Sequence, residues 1–207
     1  MTKVKICGIT NLDDALAATE LGADFLGFVF SQQSPRQIKI KQAVKIISSL
    51  PGNVSTVGLF VNQRGLLVKL ASQECGFNYL QFHGDESPHY CQQIRKEVKI
   101  IKAFRVKDKD SLKNLADYDV DIYLLDAYNK DNFGGSGSMF NWDLAIEPKK
   151  IGKPIILAGG LTPKNVIKAI EKVRPYAVDV SSGIEKGPGR KDHKLIKKFI
   201  EQVRSAG

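Results

Sequence analysis

Cysteine is scarce in this chain and nothing pairs it. Cys7, Cys75 and Cys91 are odd in number and far apart, with no CxxC. A disulfide framework or cysteine zinc site is therefore not expected, and a reducing compartment, the cytoplasm, is. Long apolar runs are also missing, since no window approaches the roughly 18 to 20 consecutive apolar residues of a membrane span. Met1-Thr2-Lys3-Val4 leads straight into a strand-like run, without the apolar core of a signal peptide. Neither GxGxxG nor GxxxxGK(S/T) follows that run, which argues against a nucleotide-binding open sheet. No Pro/Ser/Gly linker divides the 207 residues, so a single domain spanning 1–207 is expected. With 43% hydrophobic and 26% charged residues, the chain has ample material for one core.

Positive charge is in excess, at a net +9. Its densest cluster is Lys186, Arg190, Lys191, Lys194, Lys197 and Lys198, which alternates with Leu195, Ile196, Phe199 and Ile200. That spacing reads as the polar side of an amphipathic helix. Basic surfaces attract nucleic acid, yet the lysines are spread and no nucleic-acid motif is present. A polyanion-binding module is the rival from outside the enzymes, and it predicts steeply salt-dependent duplex binding. A diffuse positive field also suits capture of a small anion.

What is present is one pattern written repeatedly. Apolar, β-branched runs occur at Val4–Cys7, Phe25–Phe30, Thr56–Phe60, Tyr79–His83, Ile100–Phe104, Ile122–Asp126, Pro154–Ala158 and Ala177–Ser181. Odd and even runs each recur about 50 residues apart, as two strand-helix units would. Similar lead-ins, Gly22-Ala23-Asp24, Gly76-Phe77-Asn78 and Asp119-Val120-Asp121, precede three even runs, with Arg174-Pro175-Tyr176 a looser fourth. Helix-like segments lie between, at Leu12–Leu21, Ile40–Leu50, Arg64–Glu74, Pro88–Lys96, Ser111–Asp117, Trp142–Ile146, Pro163–Lys172 and Asp192–Arg204. Strands alternating with helices pair in parallel through right-handed crossovers. Eight such units predict a closed (β/α)8 barrel, with an open doubly wound sheet as the alternative.

In such a barrel the C-terminal strand ends and the loops after them carry the chemistry. Those ends hold Cys7, Arg36 in Ser34-Pro35-Arg36, His83, Asp126 and Asp179. Cys7 reads either as a base, once its thiol is ionised, or as a small buried hydrophobe. Lys5 shares its face by strand alternation and reads as a cation favouring the thiolate, or as a salt bridge at the rim. Asp126 emerges from an apolar strand, where desolvation favours a protonated general acid; a loop-anchoring aspartate is the alternative. His83 reads as a pocket hydrogen bonder in preference to an acid. Arg36 suits a bidentate carboxylate or is an ordinary surface arginine. Ala158-Gly159-Gly160-Leu161 and Ser181-Ser182-Gly183-Ile184 follow strands 7 and 8, the usual phosphate cradle of this fold. Gly134-Gly135-Ser136-Gly137 has the composition of a mobile lid.

Together these residues resemble the phosphoribosylanthranilate isomerases of tryptophan biosynthesis. The resemblance runs end to end. It rests on Lys5-Ile6-Cys7-Gly8-Ile9-Thr10, Gly27-Phe28-Val29-Phe30, Ser34-Pro35-Arg36, Leu80-Gln81-Phe82-His83-Gly84, Leu124-Leu125-Asp126, Gly134-Gly135-Ser136-Gly137, Ala158-Gly159-Gly160-Leu161 and Val178-Asp179-Val180-Ser181-Ser182-Gly183. Ser136 stands where the family often has Thr, and Asn141 where it often has Asp; both departures bear on the lid. The resemblance implies an Amadori rearrangement of N-(5-phosphoribosyl)anthranilate. Asp126 would protonate the ring oxygen, opening the sugar to a Schiff base, and Cys7 would remove the C2 proton to give an enolamine. Arg36 would hold the anthranilate carboxylate. Asp179, with His83, would position hydroxyls or catalytic groups, and Gly159, Gly160, Ser182 and Gly183 would bind phosphate. It implies a phosphorylated small-molecule substrate and a monomer or homodimer, with no metal, redox cofactor, nucleic acid or membrane. A histidine-pathway aminoaldose isomerase, the rival within the enzymes, pairs aspartates at strands 1 and 5. Here those ends carry Cys7 and Ala103-Phe104-Arg105.

Overall fold

The computed structural model describes residues 1–95, 98–127 and 141–206. Eight parallel strands close on themselves in chain order: β1 (Lys3–Cys7), β2 (Phe25–Val29), β3 (Ser55–Phe60), β4 (Tyr79–Phe82), β5 (Lys99–Val106), β6 (Ile122–Ala127), β7 (Ile155–Leu157) and β8 (Ala177–Val180). Helices α1 (Leu12–Glu20), α2 (Ile40–Ile47), α3 (Gly65–Cys75), α4 (Pro88–Arg95), α5 (Val166–Val173) and α6 (His193–Ser205) lie between or after them. A two-stranded ribbon, β9 (Glu185–Gly187) and β10 (Arg190–Lys191), sits between β8 and α6. The barrel is the alternative that forms, and the open sheet is excluded. Among the described residues no helix is long and apolar enough to cross a membrane.

Strand alternation sorts the side chains into two layers. Phe25, Val57, Ile101, Leu124 and Ile156 pack in the barrel interior. Val4, Ile6, Leu26, Phe28, Leu80 and Leu125 face outward onto the helices. Burial on both faces is what makes the strands read as continuous apolar runs.

The repeated lead-ins have a physical cause. Asp24, Asn78 and Asp121 each accept the backbone N–H of the preceding strand, from Val4 at 2.8 Å, Thr56 at 2.7 Å and Ile100 at 2.8 Å. Each thus pins one even strand beside its odd neighbour at the N-terminal face. Tyr176, in the looser fourth lead-in, ties its neighbours through backbone groups, its N–H donating to the Ile155 carbonyl at 2.9 Å and its carbonyl accepting from the Lys3 N–H at 3.0 Å.

Three expectations need correction. The segments 111–117 and 142–146 form short 3-10 turns, Asp110–Leu112, Leu115–Asp117 and Trp142–Ala145, not α-helices. The first segment offers too few residues to offset the cost of nucleating a helix. Pro148, lacking an N–H, stops the second from running on. The basic cluster is not one helix face either. Lys186 and Arg190–Lys191 lie on β9 and β10, and α6 begins only at His193, capped by Asp192.

Candidate active site

The inward residues at the C-terminal strand ends meet around a cavity of about 440 Å³. Cys7, Arg36, His83, Asp126, Gly159, Gly160, Asp179, Ser182 and Gly183 all line it. Lys5 lies one inward step below Cys7 and is fully buried. The lid glycines Gly134, Gly135 and Gly137, with Ser136, lie outside the described residues.

At the floor, the Lys5 ammonium meets Asp179 Oδ1 at 3.0 Å. This is a buried pair at mid-barrel, not a salt bridge at the rim. Burial pushes Lys5 toward neutrality, but Asp179 and the Cys7 sulfur outweigh it and raise its pKa. For Cys7 the balance goes the other way. Burial pushes the thiol up, and the opposing pull of Lys5 and Lys191 does not cancel it. Lys5 favours the thiolate, as expected, but the apolar wall formed with Val29 and Leu59 removes the water that a thiolate needs and outweighs that pull.

Across the cavity, His83 Nε2 lies 3.1 Å from Asp126 Oδ2, and His83 Nδ1 lies 3.0 Å from Gln81 Nε2. An amide NH2 can only donate, so Nδ1 is the acceptor and Nε2 carries the ring hydrogen. With the amide so placed, His83 donates to Asp126 Oδ2. His83 is a hydrogen bonder, as favoured. Gln81 was named only as part of a motif; its inward position two residues before His83 is the signal that marks it.

The two glycine loops are tight where substrate phosphate would need backbone. Gly159 has φ +85°, and a Cβ there would strike the Ala127 backbone; one at Gly183 would strike the Leu161 carbonyl oxygen. Asn165 braces the first loop, donating to the Gly160 carbonyl at 2.9 Å and accepting from Thr162 N–H at 2.8 Å.

Arg36 is already half engaged. Its Nε and Nη2 donate to the Glu185 carboxylate at 2.8 and 2.7 Å, so one bidentate edge is taken. The outer edge, Nη1 with the second Nη2 hydrogen, remains for another carboxylate. Burial would raise the Glu185 carboxyl, but Arg36 and Lys191 reverse this and lower it. Lys191 was read as solvated. It is instead fully buried and donates to the Cys7 carbonyl at 2.6 Å.

Residues 4–202 match the family model for N-(5'-phosphoribosyl)anthranilate (PRA) isomerase. The N-(5'-phosphoribosyl)anthranilate isomerase of Geobacter sulfurreducens is 52% identical over 204 residues, covering 99% of each chain. Among solved structures, monomers generated from the dimeric phosphoribosylanthranilate isomerase of Thermotoga maritima superpose with a TM-score of 0.90 at 39% identity, over 99% of this chain and 100% of that one. A phosphoribosylanthranilate isomerase in complex with reduced 1-(o-carboxyphenylamino)-1-deoxyribulose 5-phosphate gives 0.89 at 39% identity, with the same coverage.

Proposed function

The chain belongs to the phosphoribosylanthranilate isomerase family and catalyses the aminoaldose-to-aminoketose step of tryptophan biosynthesis, and we propose that Cys7 and Asp126 carry its two proton transfers. The observation behind this assignment is that both line one cavity, together with the glycine loops of β7 and β8. Asp126 protonates the furanose oxygen of N-(5-phosphoribosyl)anthranilate, and the C1–O bond breaks to give the Schiff base. Cys7 then takes the C2 proton, and the electron pair moves toward the imine nitrogen to form the enolamine, which tautomerises to the ketone. Acid and base come from different strands, β6 and β1, around one cavity, which suits such a transfer.

The remaining groups hold the substrate. Gly159, Gly160, Ser182 and Gly183 take the 5'-phosphate on backbone N–H groups. Arg36, steadied on one edge by Glu185, offers its outer edge to the anthranilate carboxylate. Asp179 keeps Lys5 charged beneath the sulfur, and His83 orients Asp126. A cytoplasmic location fits the three free thiols, and a homodimer or monomer fits the dimeric relative from Thermotoga maritima. Light scattering distinguishes these two states.

The test is fluorescence loss from freshly generated phosphoribosylanthranilate, measured for wild type, Cys7→Ser and Asp126→Asn. Each variant should lose about 10²–10⁴-fold in kcat, the usual worth of a general acid or base, with KM nearly unchanged. Turnover near the wild-type rate in either one refutes that residue's role.

A further inference from the structure

We propose that Lys191 is a positioning residue of the isomerase, a buried ammonium that locks the Cys7 strand end, the loop after β8 and the Glu185–Arg36 fork into one register. Its Nζ donates to the Cys7 carbonyl at 2.6 Å, the Ser181 carbonyl at 3.2 Å and Glu185 Oε1 at 2.8 Å. Three acceptors match the three N–H donors of an ammonium; burial pulls the Lys191 pKa down, and Glu185 and the Cys7 sulfur pull against it. The three acceptors belong to the turn that carries the base, the loop assigned to the phosphate and the carboxylate that steadies Arg36. This inference rests on the catalytic reading above and extends it to a residue that touches no substrate.

The backbone is arranged to deliver that side chain. The β9–β10 register shifts between Arg190 and Lys191, and such an irregularity re-aims a side chain. The Lys191 N–H is held by Asp14 Oδ2 at 2.8 Å, and Asp14 is itself fixed by Asn11 and His193 at 2.8 Å each. On the other side, the Arg36 stem crosses directly over Gly8, where a Cβ would come within 2.5 Å of Arg36 Cδ. The Cys7-Gly8 turn is thus gripped between two cations that share one carboxylate, Glu185.

A lysine serving only to satisfy two carbonyls would not need its charge. The charges around Cys7 show where that charge acts. Lys5 from β1 and Asp179 from β8 lie below the sulfur, Lys191 from β10 and the Arg36–Glu185 pair lie beside it, and His83 and Asp126 face it across the cavity. Asp179 opposes the thiolate, so Lys5 alone is largely spoken for. Lys191 supplies the second positive charge, and its pull on the thiol is downward.

The test compares Lys191→Met, Lys191→Arg and Glu185→Gln with wild type by thermal unfolding, kcat, KM and iodoacetamide alkylation of Cys7 against pH, read by peptide mass. Lys191→Met should move the alkylation midpoint up by about one pH unit, the effect of losing a nearby opposite charge. It should also cut kcat about tenfold or more and raise KM. Lys191→Arg should restore the midpoint, because the charge returns. Glu185→Gln should raise KM without moving the midpoint up, because it frees Arg36 and leaves the ammonium. If Lys191→Met does not fold, Lys191→Gln, which keeps two donors without the charge, takes its place. A folded Met or Gln variant with wild-type midpoint and kcat overturns the proposal, as does an Arg variant whose midpoint matches that of Met. The midpoint is read without turnover, so it stands apart from the outcome of Cys7→Ser.

Discussion

Replacing Gly27 with alanine should damage catalysis far more than stability. Gly27 pairs with Cys7 across β1 and β2, and its bare Cα leaves room for the sulfur. An added Cβ would lie 2.8 Å from Cys7 Sγ, 3.2 Å from Cys7 Cα and 3.2 Å from Lys5 Nζ. Ordinary carbon contacts fall at about 3.5–4.0 Å, so the sulfur must move by about 1 Å and the strands must part slightly. Overpacking of this kind costs about 1–3 kcal/mol, partly offset by about 0.4–1 kcal/mol from restricting the unfolded chain. At about 2–4 °C per kcal/mol for a chain of this size, Tm should fall by less than about 12 °C. A 1 Å misplacement of a reacting group can cost about 10²-fold in rate, and kcat should fall by that order. Turnover followed by fluorescence, beside calorimetry on the same preparation, separates the two effects. A variant that keeps kcat within about threefold of wild type would mean that the position of Cys7 Sγ does not govern the rate.

Other perturbations have equally definite outcomes. Lys5→Met should destabilise by about 3–5 kcal/mol, because Asp179 is left charged and buried, and chemical denaturation should show most of it recovered in the Lys5→Met/Asp179→Leu double variant. Gln81→Leu removes the N–H that fixes the ring of His83, so nitrogen NMR should show a changed tautomer and kcat should drop about tenfold. Burial pushes Cys75 and Cys91 up to about 11. Their contribution to stability is intact below the unfolded thiol range of about 8.5 and fades as pH rises toward 11. Denaturation between pH 8 and 11 should show a steeper fall in wild type than in Cys75→Ala/Cys91→Ala, where the raised Cys7 thiol still contributes.

The barrel was legible because parallel strands buried on both faces write themselves as apolar runs at regular spacing. The recurring Asp24, Asn78 and Asp121 could be seen as a repeat, but their task could not, since it is a bond to a strand about 20 residues earlier. Cys7, His83, Asp126 and Asp179 were legible because strand ends in this fold face one mouth. Lys191 was misread because its spacing continues that of Lys194, Lys197 and Lys198. The Gly187-Pro188-Gly189 turn ahead of it breaks any helix and outweighs that spacing. The direction of the Cys7 shift was hidden for a different reason. Sequence shows Lys5 as a neighbour, but not the loss of water that outweighs it.

That loss of water poses a question about the working state, and pH answers it. In the resting site the thiol is held up by burial. The proposed working site needs a thiolate at Cys7 and a proton on Asp126. A mechanism that needs one group ionised and another protonated has a plateau between its two ionisations. From pH 7 to 9, above the phosphate ionisation near 6, kcat/KM should therefore stay nearly flat. Alkylation of Cys7 by iodoacetamide needs only the thiolate and should rise about tenfold per pH unit over the same window. Lys5 and Lys191 enter here, because they set what fraction of molecules occupies the working arrangement and hence the height of the plateau. If alkylation is already constant at pH 7, the thiolate is the resting form. If kcat/KM climbs in parallel with alkylation, Asp126 is not delivering the proton in the step that limits the rate.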